Sequence, residues 1–165
     1  MILGMSIAAS VTLHTVISVV ALLAGLVVAG GMLGARALPG WTALFLLTTL
    51  VTDVTGFFLP ADRILPSHVV GGVSLVAVLV AAFAYYPRKL AGGWRAAYVT
   101  SAMLAAYLNA FVLVAQLFVK VPAMHEIAPT QSSPAFGITQ LVVLALFVGL
   151  GVRGMRAFHP VPAGP

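Results

Sequence analysis

The run VTLHTVISVVALLAGLVVAGGML, residues 11–33, contains no Lys, Arg, Asp or Glu, and its centre, Val19-Val20-Ala21-Leu22-Leu23-Ala24, is apolar on every side. About 20 such residues rise roughly 30 Å as an α-helix, the thickness of a bilayer's hydrocarbon core. Strands of a membrane barrel would instead alternate apolar and polar positions. The segment between Met1 and Ser10 has no Lys or Arg, and the apolar run behind it exceeds the roughly 7–15 residues of a signal-peptide core. It reads as a retained first membrane span.

Four further stretches follow the same pattern, predicting five spans over about 11–33, 41–59, 68–86, 96–119 and 136–152. The breaks between them carry Pro and Gly, which end helices. The longest, 120–135, holds Pro122, Pro129 and Pro134 and reads as an extramembrane loop. The expected fold is therefore all-α, a single-domain integral membrane bundle of five transmembrane helices over residues 1–165.

Composition agrees. Hydrophobic residues make up 62% of the 165 and charged residues 7%, against about 45–50% and 25% in soluble domains. A chain this apolar cannot hide its surface in one small water-facing core. No cysteine is present, which excludes disulfides, thiolate metal sites, iron–sulfur clusters and c-type haem. The net charge of +5 is dispersed in loops, so it points to membrane orientation rather than nucleic-acid binding.

With five spans, one face receives Arg36, Arg88, Lys89, Arg95, Arg153 and Arg156, six basic residues without an acidic one. The other receives Arg63 and Lys120, offset by Asp62 and Glu126. The positive-inside rule then places the C-terminus in the cytoplasm and the N-terminus outside. A bacterial inner (plasma) membrane is the expected location. Trp41, Tyr85, Tyr86, Trp94 and Tyr98 fall near cytoplasmic span ends, where aromatic rings anchor helices.

Polar side chains gather in the opposite, outer half. His14, Thr15 and Ser18 lie early in the first span, and Thr49, Thr52, Asp53 and Gly56 share one face of the second. His68 opens the third span, Asn109 and Gln116 are seven apart on the fourth, and Gln140 lies one turn into the fifth. Together they predict a polar cavity opening outward, capped by the 120–135 loop with His125 and Glu126. The inner half has small residues suited to close packing, such as Gly25, Gly30, Gly31, Ala82 and Gly149.

Asp53 is the only acidic residue inside a span. Placing a carboxylate at a helix centre costs about 2.5–3.5 kcal/mol on insertion scales, which makes it a functional candidate by default. It reads as a proton carrier, a metal ligand, or a partner orienting a ring nitrogen of His14 or His68; the structural alternative is a protonated Asp bonded to Asn109 or to a helix carbonyl. His14 and His68 enter parallel spans at similar depth. If those helices are neighbours, the rings suit bis-histidine ligation of haem b, or with Asp53 a two-His, one-carboxylate metal site.

Other chemistry is excluded: zinc-protease, nucleotide-binding and nucleophile-elbow motifs are absent, and no Arg or Lys lies mid-span to hold a phosphate or carboxylate. A neutral, lipophilic or cationic ligand fits better. The expected functions are a membrane redox component binding haem b or a quinone, with His14, His68, Asn109, Gln116 and Gln140 as cofactor contacts; a proton- or cation-coupled transporter or channel centred on Asp53; or a non-catalytic accessory subunit of a larger membrane complex. Whether the chain is an enzyme stays open. Gly30, Gly31 and Gly34 offer a face for a homodimer.

Overall fold

A computed structural model describes residues 6–59 and 66–159. Every regular element among them is helical: α1 (Ile7–Leu33), α2 (Pro39–Gly56), α3 (Pro66–Tyr85), α4 (Gly93–Lys120), α5 (Pro122–Ile127) and α6 (Pro134–Ala157). The helix starts follow from local chemistry. Ser6 caps α1 by accepting the Ala9 N–H at 3.2 Å, and α2, α5 and α6 carry Pro in their first turn, where its missing N–H costs nothing. Helix α1 ends in a Schellman turn. The Arg36 N–H returns to the Gly31 carbonyl at 2.8 Å, and Ala35 takes the left-handed conformation at φ 55°.

Among the described residues four helices, α1, α3, α4 and α6, are long and apolar enough to cross a membrane, where five were expected. The missing one is α2, the expected span 41–59. Its 18 residues rise about 27 Å, but Thr42, Thr48, Thr49, Thr52, Asp53 and Thr55 dilute its hydropathy. These residues sit in the interior or at its margin, so the helix is polar because of what it faces inside the bundle.

Contacts fix the topology. His14 meets Thr55, and Gly25 meets Phe45, so α1 and α2 are antiparallel. Phe57 stacks on His68, Tyr85 on Tyr98, and Gln140 reaches Phe111, so each later pair of long helices alternates as well. Helices α1, α2, α3 and α4 form a ring, each packed on the next and α4 closing against α1; α6 lies outside it against α4 and α1. All six basic residues assigned to one face do lie at one end of this bundle, as the Tyr98–Phe158 contact and the Arg95–Met155 hydrogen bond require.

The core is built from small residues. Ala21, Ala24 and Ala29 of α1, Ala77, Ala81 and Ala84 of α3, and Ala102, Ala105 and Ala106 of α4 are all buried. Small side chains let backbones approach, which is the main source of helix attraction in lipid. Gly25 is covered by Phe45 and Gly31 by Leu38, whereas Gly30 and Gly149 face open space. Tyr98, expected at the interface, is instead fully buried and shares a 3.1 Å hydrogen bond with Thr42.

Candidate functional site

Helix α2 positions the site. Thr42, Thr49, Thr52 and Asp53 are all buried, at spacings that place them along one face. Each rung meets a different neighbour: Thr42 pairs with Tyr98 of α4, Thr49 accepts from Asn109 Nδ2 of α4 at 3.2 Å, and Asp53 stands beside Ser74 of α3. Phe45 and Leu46, both buried, separate Thr42 from the upper three.

At Asp53 the polar groups are buried and only partly paired. Asp53 is 7% exposed and Ser74 2%. Ser74 is placed to hydrogen-bond the Asp53 carboxyl, yet no hydrogen bond of ordinary length and angle reaches Asp53 Oδ2, Ser74 Oγ or Thr52 Oγ1. Elsewhere in the helices, hydroxyls satisfy themselves on the carbonyl one turn back: Ser18 on His14, Thr48 on Leu44, Thr55 on Val51, Ser101 on Ala97 and Thr139 on Ala135. The hydroxyls of Thr52 and Ser74 do not. Buried oxygens with unspent hydrogen-bonding capacity are uncommon, and a binding role is one of the few reasons a protein keeps them. Neither α2 nor α3 contains a Lys or Arg.

His14 is half-buried, and its Nδ1 lies 2.9 Å from Thr55 Oγ1. With the Thr55 hydroxyl donating to the Val51 carbonyl, its shortest acceptor at 2.7 Å, its oxygen accepts from the ring. That assigns the neutral imidazole proton to Nδ1 and leaves Nε2 as the acceptor. The expected pairing of Asp53 with His14 is therefore replaced by Thr55, which sits about 200° around α2 from Asp53. His68 stacks on Phe57 with ring centroids 5.9 Å apart. Both histidines thus rest on the end of α2, which stands between their helices, and α1 and α3 do not pack closely. Thr55 is thus a neighbour of one ring and Phe57 of the other. His14, His68 and Asp53 do not assemble a three-ligand metal group among the described residues.

The remaining expected contacts disperse. Asn109 belongs to the α2 ladder. Gln116, two turns further along α4, is exposed because it reaches the level where α2 ends. Gln140 is buried on the opposite side of α4, donating to the Phe111 carbonyl at 3.0 Å. The 120–135 segment also departs from expectation. Its helix α5 folds back onto α4, with His125 Nδ1 on the Phe118 carbonyl, and Phe118, Ala128 and Phe136 make a small separate core. His125 and Glu126 are exposed. The Asp62 and Arg63 loop lies outside the described residues.

Ser74 was missed by the sequence reading, although it is the only hydrogen-bonding side chain between Gly72 and Ala84. The Thr42–Tyr98 pair and Thr55 were missed too, because their partners come from other helices. Comparison with protein-family models, with curated proteins and with solved structures gives no match.

Proposed function

We propose that this chain takes up a proton or a small monovalent cation at Asp53, as part of a proton- or cation-coupled transport step. The observation that carries the reading is the buried carboxyl of Asp53 beside the buried hydroxyl of Ser74, with Asp53 Oδ2 and Ser74 Oγ left short of a hydrogen bond of ordinary geometry. An all-oxygen site with a single carboxylate and no Lys or Arg on its two helices suits a hard cation or a proton. The Thr49–Asn109 rung continues the polar face below it. The stripe is covered by the chain's own α3 and α4, so no partner subunit is required to bury it.

In this proposal all five long helices cross the membrane, α2 as the inward-sheltered polar one. The end bearing the six basic residues faces the cytoplasm, and Asp53 lies in the outer half of an energised bilayer such as the bacterial inner membrane. The chain has no native cysteine, so orientation is directly testable. Gln116→Cys should react with a membrane-impermeant thiol reagent from outside only, and Arg36→Cys from inside only.

The functional test is flux into proteoliposomes driven by a potassium diffusion potential. Wild-type chain should pass protons or Na+, and Asp53→Asn should lower that flux at least about ten-fold while leaving helix content and thermal midpoint unchanged. Absence of flux for H+, Na+ and K+ in the wild type, or equal flux in Asp53→Asn, overturns the reading.

A further inference from the structure

A groove of about 420 Å³ runs along the outside of the bundle between α4 and α6, remote from Asp53. Its volume lies in the range of small-molecule sites. The floor is formed by Met103, Phe147 and Gly151, and the far end by Tyr107 and Leu144; Thr100 and Arg156 stand at the near end. The floor is open at Gly151, where an added Cβ would meet nothing nearer than Met103 Cγ at 3.7 Å.

Length and charge together select the occupant. From Leu144 to Arg156 helix α6 rises about 18 Å, close to the roughly 15 Å depth of one leaflet's hydrocarbon. Arg156 is exposed in the last turn of α6, at the end of the bundle where the basic residues gather without an acidic one. A slot one leaflet deep, apolar along its length and cationic at its mouth, matches a lipid with an anionic headgroup. We propose that the groove seats one acyl chain of an anionic phospholipid whose phosphate pairs with Arg156. A single cation near a membrane surface is worth about 1 kcal/mol toward anionic lipid, or roughly five-fold in occupancy.

The test uses the full chain in detergent, incubated with mixed micelles of either phosphatidylglycerol or phosphatidylcholine and read by native mass spectrometry. Wild-type chain should retain one phosphatidylglycerol, about five-fold in preference to phosphatidylcholine. Arg156→Gln should abolish that preference, and Arg36→Gln, at the same end but outside the groove, should keep it. Gly151→Leu should reduce retention of both lipids by filling the floor. Equal retention of the two lipids by wild type, or an unchanged preference in Arg156→Gln, overturns the proposal. So does a Gly151→Leu chain that loses a dimer rather than a lipid, which would assign the groove to a second copy.

Discussion

Asn109 of α4 donates its amide Nδ2 to the hydroxyl of Thr49 at 3.2 Å, joining two helices whose backbones do not otherwise pack closely. The bond crosses the interior of the ring, and with Thr42–Tyr98 lower down it sets the rotation of α2. Side-chain hydrogen bonds of this kind in membranes average about 0.6 kcal/mol and reach about 1.7 kcal/mol. A double-mutant cycle of Thr49→Val and Asn109→Ala, followed by unfolding in SDS, should give a coupling energy in that range. Additive single effects would mean the pair is not formed.

The glycines of α1 should separate by position. A Cβ at Gly25 would lie 2.9 Å from Phe45 Cε2 and 3.3 Å from Ala106 Cβ, whereas at Gly30 it would meet nothing within 4 Å. Overpacking costs about 1–3 kcal/mol, so Gly25→Ala should lower the unfolding midpoint and Gly30→Ala should leave it level or raise it. Trimming the ring with Phe45→Leu should restore part of the Gly25→Ala loss.

Arg95 should act as a clamp on α6. Its Nη1 donates to the carbonyls of Met155 and Phe158, both at 2.9 Å, taking up backbone oxygens that the helix end leaves open. Hydrogen bonds from a charged donor are worth about 1.5–3 kcal/mol. Arg95→Ala should therefore destabilise by about 2 kcal/mol and speed proteolytic cutting near Phe158, measured against the intact chain. Arg95→Lys should recover only part, because the ammonium is a shorter-reaching and more strongly hydrated point charge.

The proton on His14 is also predictable. With Thr55 Oγ1 committed to the Val51 carbonyl, nitrogen NMR of the neutral ring should show the proton on Nδ1. Thr55→Val removes that acceptor and should release the ring toward its ordinary preference for a proton on Nε2. A ring already protonated on Nε2 in the wild type would contradict the assigned geometry.

Helix positions were legible in the sequence because lipid demands long apolar runs and Pro and Gly end them. The reading of 11–33 became Ile7–Leu33, and 136–152 became Pro134–Ala157. Helix α5 escaped because Pro122 was read as a breaker, although Pro also opens helices. Rotation and neighbour order were much less legible. Leu23 is exposed and Val28 buried on the same helix, and hydropathy cannot distinguish a face turned to lipid from one turned to protein. His14 and His68 both touch residues at the end of α2, and which helix stood between them depended on packing that no single-chain pattern encodes. Asp53 was visible because a buried carboxylate is costly anywhere, and its neighbour Ser74 became meaningful only once α3 was seen beside α2.

The placement of α6 outside the ring has a consequence for how the chain is made. The four helices that enclose Asp53 are complete in the sequence by Lys120, so a nascent chain holds every wall of that interior before α6 leaves the ribosome. The last helix is then laid onto an already closed body and fastened by Arg95 and Gln140. Errors of synthesis or truncation beyond Pro122 fall on the groove and the α6 clamp, while the helices around Asp53 precede them in the sequence.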